Sequence, residues 1–202
     1  MAAEGSAPGA PSHPVPSAAH LPPWAGWTIG LVFIAVAWFV ALATPGEAQI
    51  QAPFRVPASV GDAATGRSFT VTFTDLRRAS EVSADGWSAD GNWLVVDLEA
   101  EAVQTEAGTS IQYAKLELDG VQFDASERPD SLAGSALAVG APREGSLAFE
   151  LPEGVEAGEG RIELALNAIN QELDSMIVLS FDLAEVKTVD QTELLENGWV
   201  NP

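Results

Sequence analysis

The stretch Trp24–Ala43 constrains this chain more than any other feature. Its 20 residues, WAGWTIGLVFIAVAWFVALA, include no charged side chain. As an α-helix they extend about 30 Å, roughly the hydrocarbon thickness of a bilayer. A secretory signal is the competing reading. It wants a positive n-region, an apolar core of about 7–15 residues and a small-residue cleavage site. Ala41-Leu42-Ala43 fits the cleavage pattern, but no Lys or Arg precedes the apolar run. The run is also long for a signal core. The sequence therefore predicts an uncleaved single transmembrane helix over 24–43, a signal anchor. Trp24, Trp27 and Trp38 suit it, because Trp is favoured where membrane meets water. Gly26-xxx-Gly30 has the spacing of a helix-packing motif, a spacing that ordinary span composition also produces.

The flanks leave orientation open. Lys and Arg near a span favour the cytoplasmic side, yet none lies on the N-terminal side, while Arg55 and Arg67 follow the span. Read literally, that places the C-terminal part in the cytoplasm. Long domains translocate largely regardless of so small a bias. The expectation is an extracellular C-terminal domain, resting on the type of domain read below.

Charge narrows the partners. The chain carries 29 Asp and Glu against 9 Lys and Arg, a formal net charge of −20. Only Glu4 of these lies ahead of residue 45, so the segment beyond carries −19. Nucleic acid should repel such a domain, and so should anionic headgroups. A solvated, solubilising surface is the plain reading of the charge, and a basic partner the sharper one. Cysteine is absent, so there is no disulfide framework and no thiolate chemistry. The only two His, His13 and His20, precede the span. Everything after it lacks the commonest general base and zinc ligand.

Residues 1–23 hold Pro8, Pro11, Pro14, Pro16, Pro22 and Pro23 among Ala, Ser and Gly, a composition that predicts a disordered arm. Residues 44–65 read as a linker and lead-in, with Phe54 and Val56 offering a short edge strand. From Gly66 the period becomes two. Phe69, Val71 and Phe73 alternate with Ser and Thr, and Leu94, Val96 and Leu98 oppose Asp97, Glu99 and Glu101. Asp85-Gly86 and Asp90-Gly91-Asn92 mark a loop between these strands, with Trp93 heading the second. Asp119-Gly120 suits a two-residue type I′ hairpin that sets Leu118 opposite Val121 and Leu116 opposite Phe123. Further runs cover 145–151, 160–166 and 174–183, separated by turn signals at Pro142–Gly145 and Pro152–Gly154. Seven or so short strands without a long amphipathic helix argue for an all-β, immunoglobulin-like β-sandwich over 66–184. A polar tail, 185–202, carries Leu194, Leu195 and Trp199. These residues suggest a short helical contact surface, docked most simply on the chain's own domain.

Several of these residues resemble a known family. Gly66-Arg67 opening an alternating strand, Trp93-Leu-Val-Val-Asp97, Asp119-Gly120 followed by Phe123, and Gly145-Ser-Leu-Ala-Phe-Glu-Leu-Pro152 are similar to a group of bacterial surface proteins. These carry an extracellular immunoglobulin-like domain of unknown function, named for a telomeric-repeat-binding-factor-like immunoglobulin fold. The name denotes fold similarity and implies no DNA binding. The resemblance covers about residues 46–184. It implies a secreted, lipid-anchored or single-span protein with no known catalytic residues. Without a lipobox cysteine, only the span could tether this chain. Seven Arg to two Lys in an Ala-rich chain fits a GC-rich bacterial genome.

Candidate chemistry is thin. The segment Asp85–Asn92 could offer oxygens to Ca²⁺, but it lacks the ligand spacing and terminal Glu of an EF-hand, and Asp-Gly repeats commonly serve turns. Trp87 beside Trp93 could stack on a sugar, although Trp93 reads as core. No Gly-x-Ser-x-Gly elbow occurs, and Gly154–Gly160 lacks the ending of a phosphate loop. Carboxylates are too many to single out a glycosidase pair. No catalytic residue, metal or cofactor is therefore expected. The expectation is a non-enzymatic, membrane-anchored extracellular module acting by protein–protein contact as an accessory to another membrane protein. Its contact residues would be Asp85, Trp87, Asp90 and Trp199. The alternative is an envelope-polysaccharide or Ca²⁺-dependent binding domain using Trp87 and the Asp85–Asn92 segment.

Overall fold

The computed structural model describes residues 22–43, 52–105, 108–169 and 174–200. The chain divides into two units, Met1–Glu47 and Ala48–Pro202. The first contains one helix, α1 (Pro23–Ala43), with no charge in its first or last turn. It is long and apolar enough to cross a membrane over Trp24–Leu42, and no residue of that window is buried in protein. The Thr28 hydroxyl, its one side-chain hydroxyl, donates to the Trp24 carbonyl at 3.1 Å, so the helix itself satisfies it. The expected disordered arm falls on residues outside the described ones, apart from Pro22 and Pro23.

The second unit is a β-sandwich. Its strands are β1 (Phe54–Ala58), β2 (Ala63–Thr65), β3 (Phe69–Ala84), β4 (Trp87–Ala102), β5 (Tyr113–Leu118), β6 (Val121–Asp124), β7 (Arg143–Leu151), β8 (Glu159–Ala165), β9 (Ser175–Asp182), β10 (Lys187–Glu193) and β11 (Gly198–Trp199). One sheet has the order β1-β9-β8-β5-β6 and the other β10-β3-β4-β7-β11, with β2 paired to β3. β4 pairs with β7 in one sheet and β5 with β8 in the other, which puts these four in the places of strands B, E, C and F of an immunoglobulin sandwich. Between the sheets lies a core that includes Phe69, Val71, Phe73, Leu94, Val96, Leu98, Leu147, Phe149, Ile162 and Ile177.

The Asp119-Gly120 hairpin has the expected register, Leu118 to Val121 and Leu116 to Phe123. Both turn residues have positive φ, 48° and 84°, as a type I′ turn requires. Val121, at the tip, nevertheless stays exposed. β1 is the edge strand suggested by Phe54 and Val56, and it pairs in parallel with β9.

Three expectations need correction, and one strand outruns its sequence signal. β3 continues to Ala84 because bulges at Phe73/Asp75 and Ala79/Glu81 shift its register and hide the period-two pattern. The segment Asp85–Asn92 is not one loop. Asp85-Gly86 forms a two-residue turn with φ of 40° and 79°, and Trp87–Asn92 is already β4, so Trp93 sits well inside that strand rather than at its head. Residues 54–65 and 187–199 extend the sheets beyond 66–184. The tail is extended rather than helical, with β10 parallel to β3 and β11 antiparallel to β7. Docking on the chain's own domain is what the tail does, through backbone pairing that its polar side chains do not announce.

Candidate interaction surface

A two-layer sandwich has two outward faces, and here they differ. On the β3–β4–β7 sheet, Ala79, Val82, Trp93, Val95 and Ala148 point away from the main core and form a second apolar cluster with Leu194 of the tail. Residues 93–96 are therefore all fully buried, two on each face. Arg128 stacks over the Trp93 ring, 5.2 Å from its centroid, and pairs with Glu150.

A polar strip crosses the same face. Asp97 accepts from the Arg77 guanidinium at 2.6 Å and from the Ser146 hydroxyl at 2.5 Å. Ser146, fully buried, in turn accepts from the Leu195 N–H at 2.7 Å. Arg77 also bonds Asp75 at 2.9 Å and the Thr192 hydroxyl at 2.7 Å. Burial opposes its charge, but hydrogen bonds and the fields of Asp97 and Asp75 outweigh that and raise its pKa above the ordinary arginine value. Further along the tail, Asn197 accepts from Arg143 at 2.8 Å and donates to the Ser135 hydroxyl at 2.7 Å. The tail is thus a strap that covers this face.

The other face is open in that the tail does not cross it, although Glu163, Met176 and Val178 on it are buried. Leu116, Leu118, Ile162 and Leu164 turn into the core, so Tyr113, Lys115 and Glu117 on β5 and Arg161 and Glu163 on β8 face outward. Arg161 reaches Glu117 at 2.5 Å and Glu163 at 3.4 Å, and Arg55 on β1 reaches Glu163 at 3.0 Å. Lys115 pairs with Asp124 at 3.1 Å and lies 5.6 Å from the Tyr113 ring centroid. Partial burial, followed by the field of Glu163, raises the Tyr113 pKa above the ordinary phenol value. Hydrogen bonding to Glu117 raises that of Arg161. Three of the chain's nine basic residues thus pair with three acids on one face, which also carries Glu159 and Asp182, so its acidity is locally offset rather than neutralised. Beside it opens a cleft of about 800 Å³, lined by Tyr113, Lys115, Asp124, Glu127, Asp130 and Ser131 among others.

The residues singled out from sequence do not converge. Asp85 occupies the β3–β4 turn, and Asp90 is an exposed strand residue opposite Glu81. Trp87 packs edge-on against buried Trp93, ring centroids 6.2 Å apart, so the two form no open stacking platform. Trp199 lies toward the other end of the same sheet, under the Arg143 guanidinium at 4.6 Å. Among the described residues no three His, Cys, Asp or Glu side chains gather as a metal site would. The open-face residues were missed. The signal for two of them is the alternation of Arg161 and Glu163 with Ile162 and Leu164, but only strand pairing brings Arg55 and Glu117 to them.

No family model and no curated protein match the chain. A crystal structure of an uncharacterized β-sandwich protein from Clostridium difficile 630 aligns over 68% of this chain and 99% of its own, with a TM-score of 0.46 and 7% sequence identity.

Proposed function

We propose that the chain is a membrane-anchored, non-enzymatic surface module whose immunoglobulin-like sandwich works by protein–protein contact outside the cell membrane, as an accessory to another membrane protein. One observation carries the anchoring: along Trp24–Leu42 nothing is buried in protein, and Leu31, Phe33, Ile34, Phe39 and Leu42 all stand exposed. A helix without a charge or a polar face is stable in lipid and not in water. The strand arrangement supports the immunoglobulin-like fold on which this reading rests. The open face supports contact with protein, since its three ion pairs locally reduce the general acidic repulsion that an approaching partner meets. A folded unit without His, whose arginines hold Asp97, Glu117 and Glu163, favours binding over catalysis.

The absence of cysteine makes the test clean. Thr188→Cys, on the exposed side of β10, should react with a membrane-impermeant maleimide on intact cells. Labelling only after lysis overturns the outward orientation, and release of the chain by alkaline carbonate overturns the anchor. Crosslinking on intact cells should then recover one reproducible membrane-protein partner, lost on Arg161→Glu. Retention on purified cell wall without such a partner, abolished by Trp87→Ala or Asp90→Ala, favours the polysaccharide or Ca²⁺ reading instead.

A further inference from the structure

Among the described residues of the sandwich unit, seven large apolar side chains stand exposed: Phe54, Val60, Val103, Val121, Val139, Ile169 and Trp199. Strand register shows that five of them share one end. Phe54 begins β1 opposite Ser175, where β9 begins. The Ser175 hydroxyl accepts from the Arg67 N–H at 2.8 Å, which joins this end of one sheet to the start of β3 in the other. Phe69, at that start, pairs with Ala102, and Val103 follows at once. Val139 bridges Ala102, and Trp199 pairs with Arg143 at the beginning of β7. Ile169 lies in the connection between β8 and β9, just past Ala165, and is 94% exposed. Only Val121 sits at the opposite end, in the β5–β6 turn, and Val60 lies part-way along.

Single exposed apolar residues are ordinary on a protein surface; here five of the seven fall at one end of the sandwich. The sequence says which end this is. Phe54 is the first strand residue after α1, and only residues 44–53 separate it from Ala43. Ten residues span at most about 35 Å when fully extended. Along the chain, the apolar end therefore holds the first strand residue to follow the anchor. Trp is favoured in the headgroup region, where an apolar body meets a wet boundary, and Phe occurs on the apolar side of interfacial segments.

Resting on the reading of α1 as a bilayer span, we infer that this end of the sandwich is a lipid-contact surface. Phe54, Val103, Ile169 and Trp199 sit in the headgroup region of the membrane that holds the anchor. The attraction is apolar, since a domain this acidic gains nothing from anionic lipid, so the contact should persist in neutral phosphatidylcholine and at high salt.

The test uses the full chain in phosphatidylcholine vesicles, with one bimane-labelled cysteine at a time: Ile34→Cys in α1, Val103→Cys and Ile169→Cys at the apolar end, Val121→Cys at the opposite end. Lipids bearing a nitroxide deep in the acyl chain should quench Ile34, at the middle of the span, and lipids bearing one near the headgroup should quench Val103 and Ile169, each at least twofold, with Val121 nearly unchanged by either. If Ile34 is quenched while Val103 and Ile169 behave like Val121, the inference is wrong and the anchor stands. If Ile34 is not quenched, the anchor reading itself fails. Protection of Val103 and Ile169 from both lipid nitroxide and aqueous iodide would mean that protein covers this end, which also overturns the inference.

Discussion

Ser146→Ala tests whether the C-terminal strap is held by the polar strip beneath it. The hydroxyl donates to Asp97 at 2.5 Å and accepts from the Leu195 N–H at 2.7 Å, and the residue is fully buried. Alanine removes both bonds. A bond to a charged acceptor contributes about 1.5–3 kcal/mol, and a buried donor left unsatisfied costs about 1–3 kcal/mol. Asp97 keeps its Arg77 partner, so no charge is stranded. The strap can also shift to rehydrate Leu195, so the two terms overlap, and the expected loss is about 2–4 kcal/mol. For a domain of this size that lowers Tm by roughly 5–15 °C. The assay is thermal and urea unfolding of the full chain in detergent, followed by circular dichroism in the β-sheet region. Leu194→Ala, which truncates the buried apolar contact of the strap, should cost about 2–4 kcal/mol by itself. Because both changes loosen one element, the double variant should lose less than the two single losses combined, by more than about 0.5 kcal/mol. A Ser146→Ala loss under about 0.5 kcal/mol, or strict additivity with Leu194→Ala, would refute the strap.

Other predictions concern single positions. A Cβ at Gly160 would meet the ring of its cross-strand partner Phe181, so Gly160→Ala should destabilise by about 1–3 kcal/mol, with partial rescue by Phe181→Leu in the same unfolding assay. Gly120 sits at φ 84°, so Gly120→Ala should cost about 1–2 kcal/mol, whereas Asp119→Asn should leave stability within about 0.5 kcal/mol, which urea midpoints can tell apart. Tyr113 is the only tyrosine, so absorbance at the phenolate band reads it alone. Its folded pKa is raised, so the folded state binds its proton more tightly than the unfolded state. The associated stability is intact below the unfolded value near 10 and is lost as pH climbs from there through the folded value. Identical titrations in native and urea-unfolded protein would contradict the raised value, and Glu163→Gln should lower the native midpoint.

Much of the architecture is local and so was readable in the chain. An uncharged run of 20 residues permits few structures but a lipid-compatible helix, and Asp119-Gly120 sets its own register because the turn chemistry acts over two residues. Alternation at Phe69–Phe73 and Leu94–Leu98 marked a half-buried sheet for the same reason: side chains two apart share a face whatever lies beyond. Tertiary structure decided the rest. Two bulges let β3 run on past the point where its period breaks, and backbone pairing turned a polar tail into β10 and β11. Trp93 and Val95 became core only because Leu194 crosses over them from about a hundred residues away. The open face follows the same rule, since Arg55, Glu117, Arg161 and Glu163 meet only through the order β1-β9-β8-β5. Local chemistry sets turns, strand faces and helix environment. Which faces are covered, and which charges meet, depends on pairings between distant segments that no short window of sequence contains.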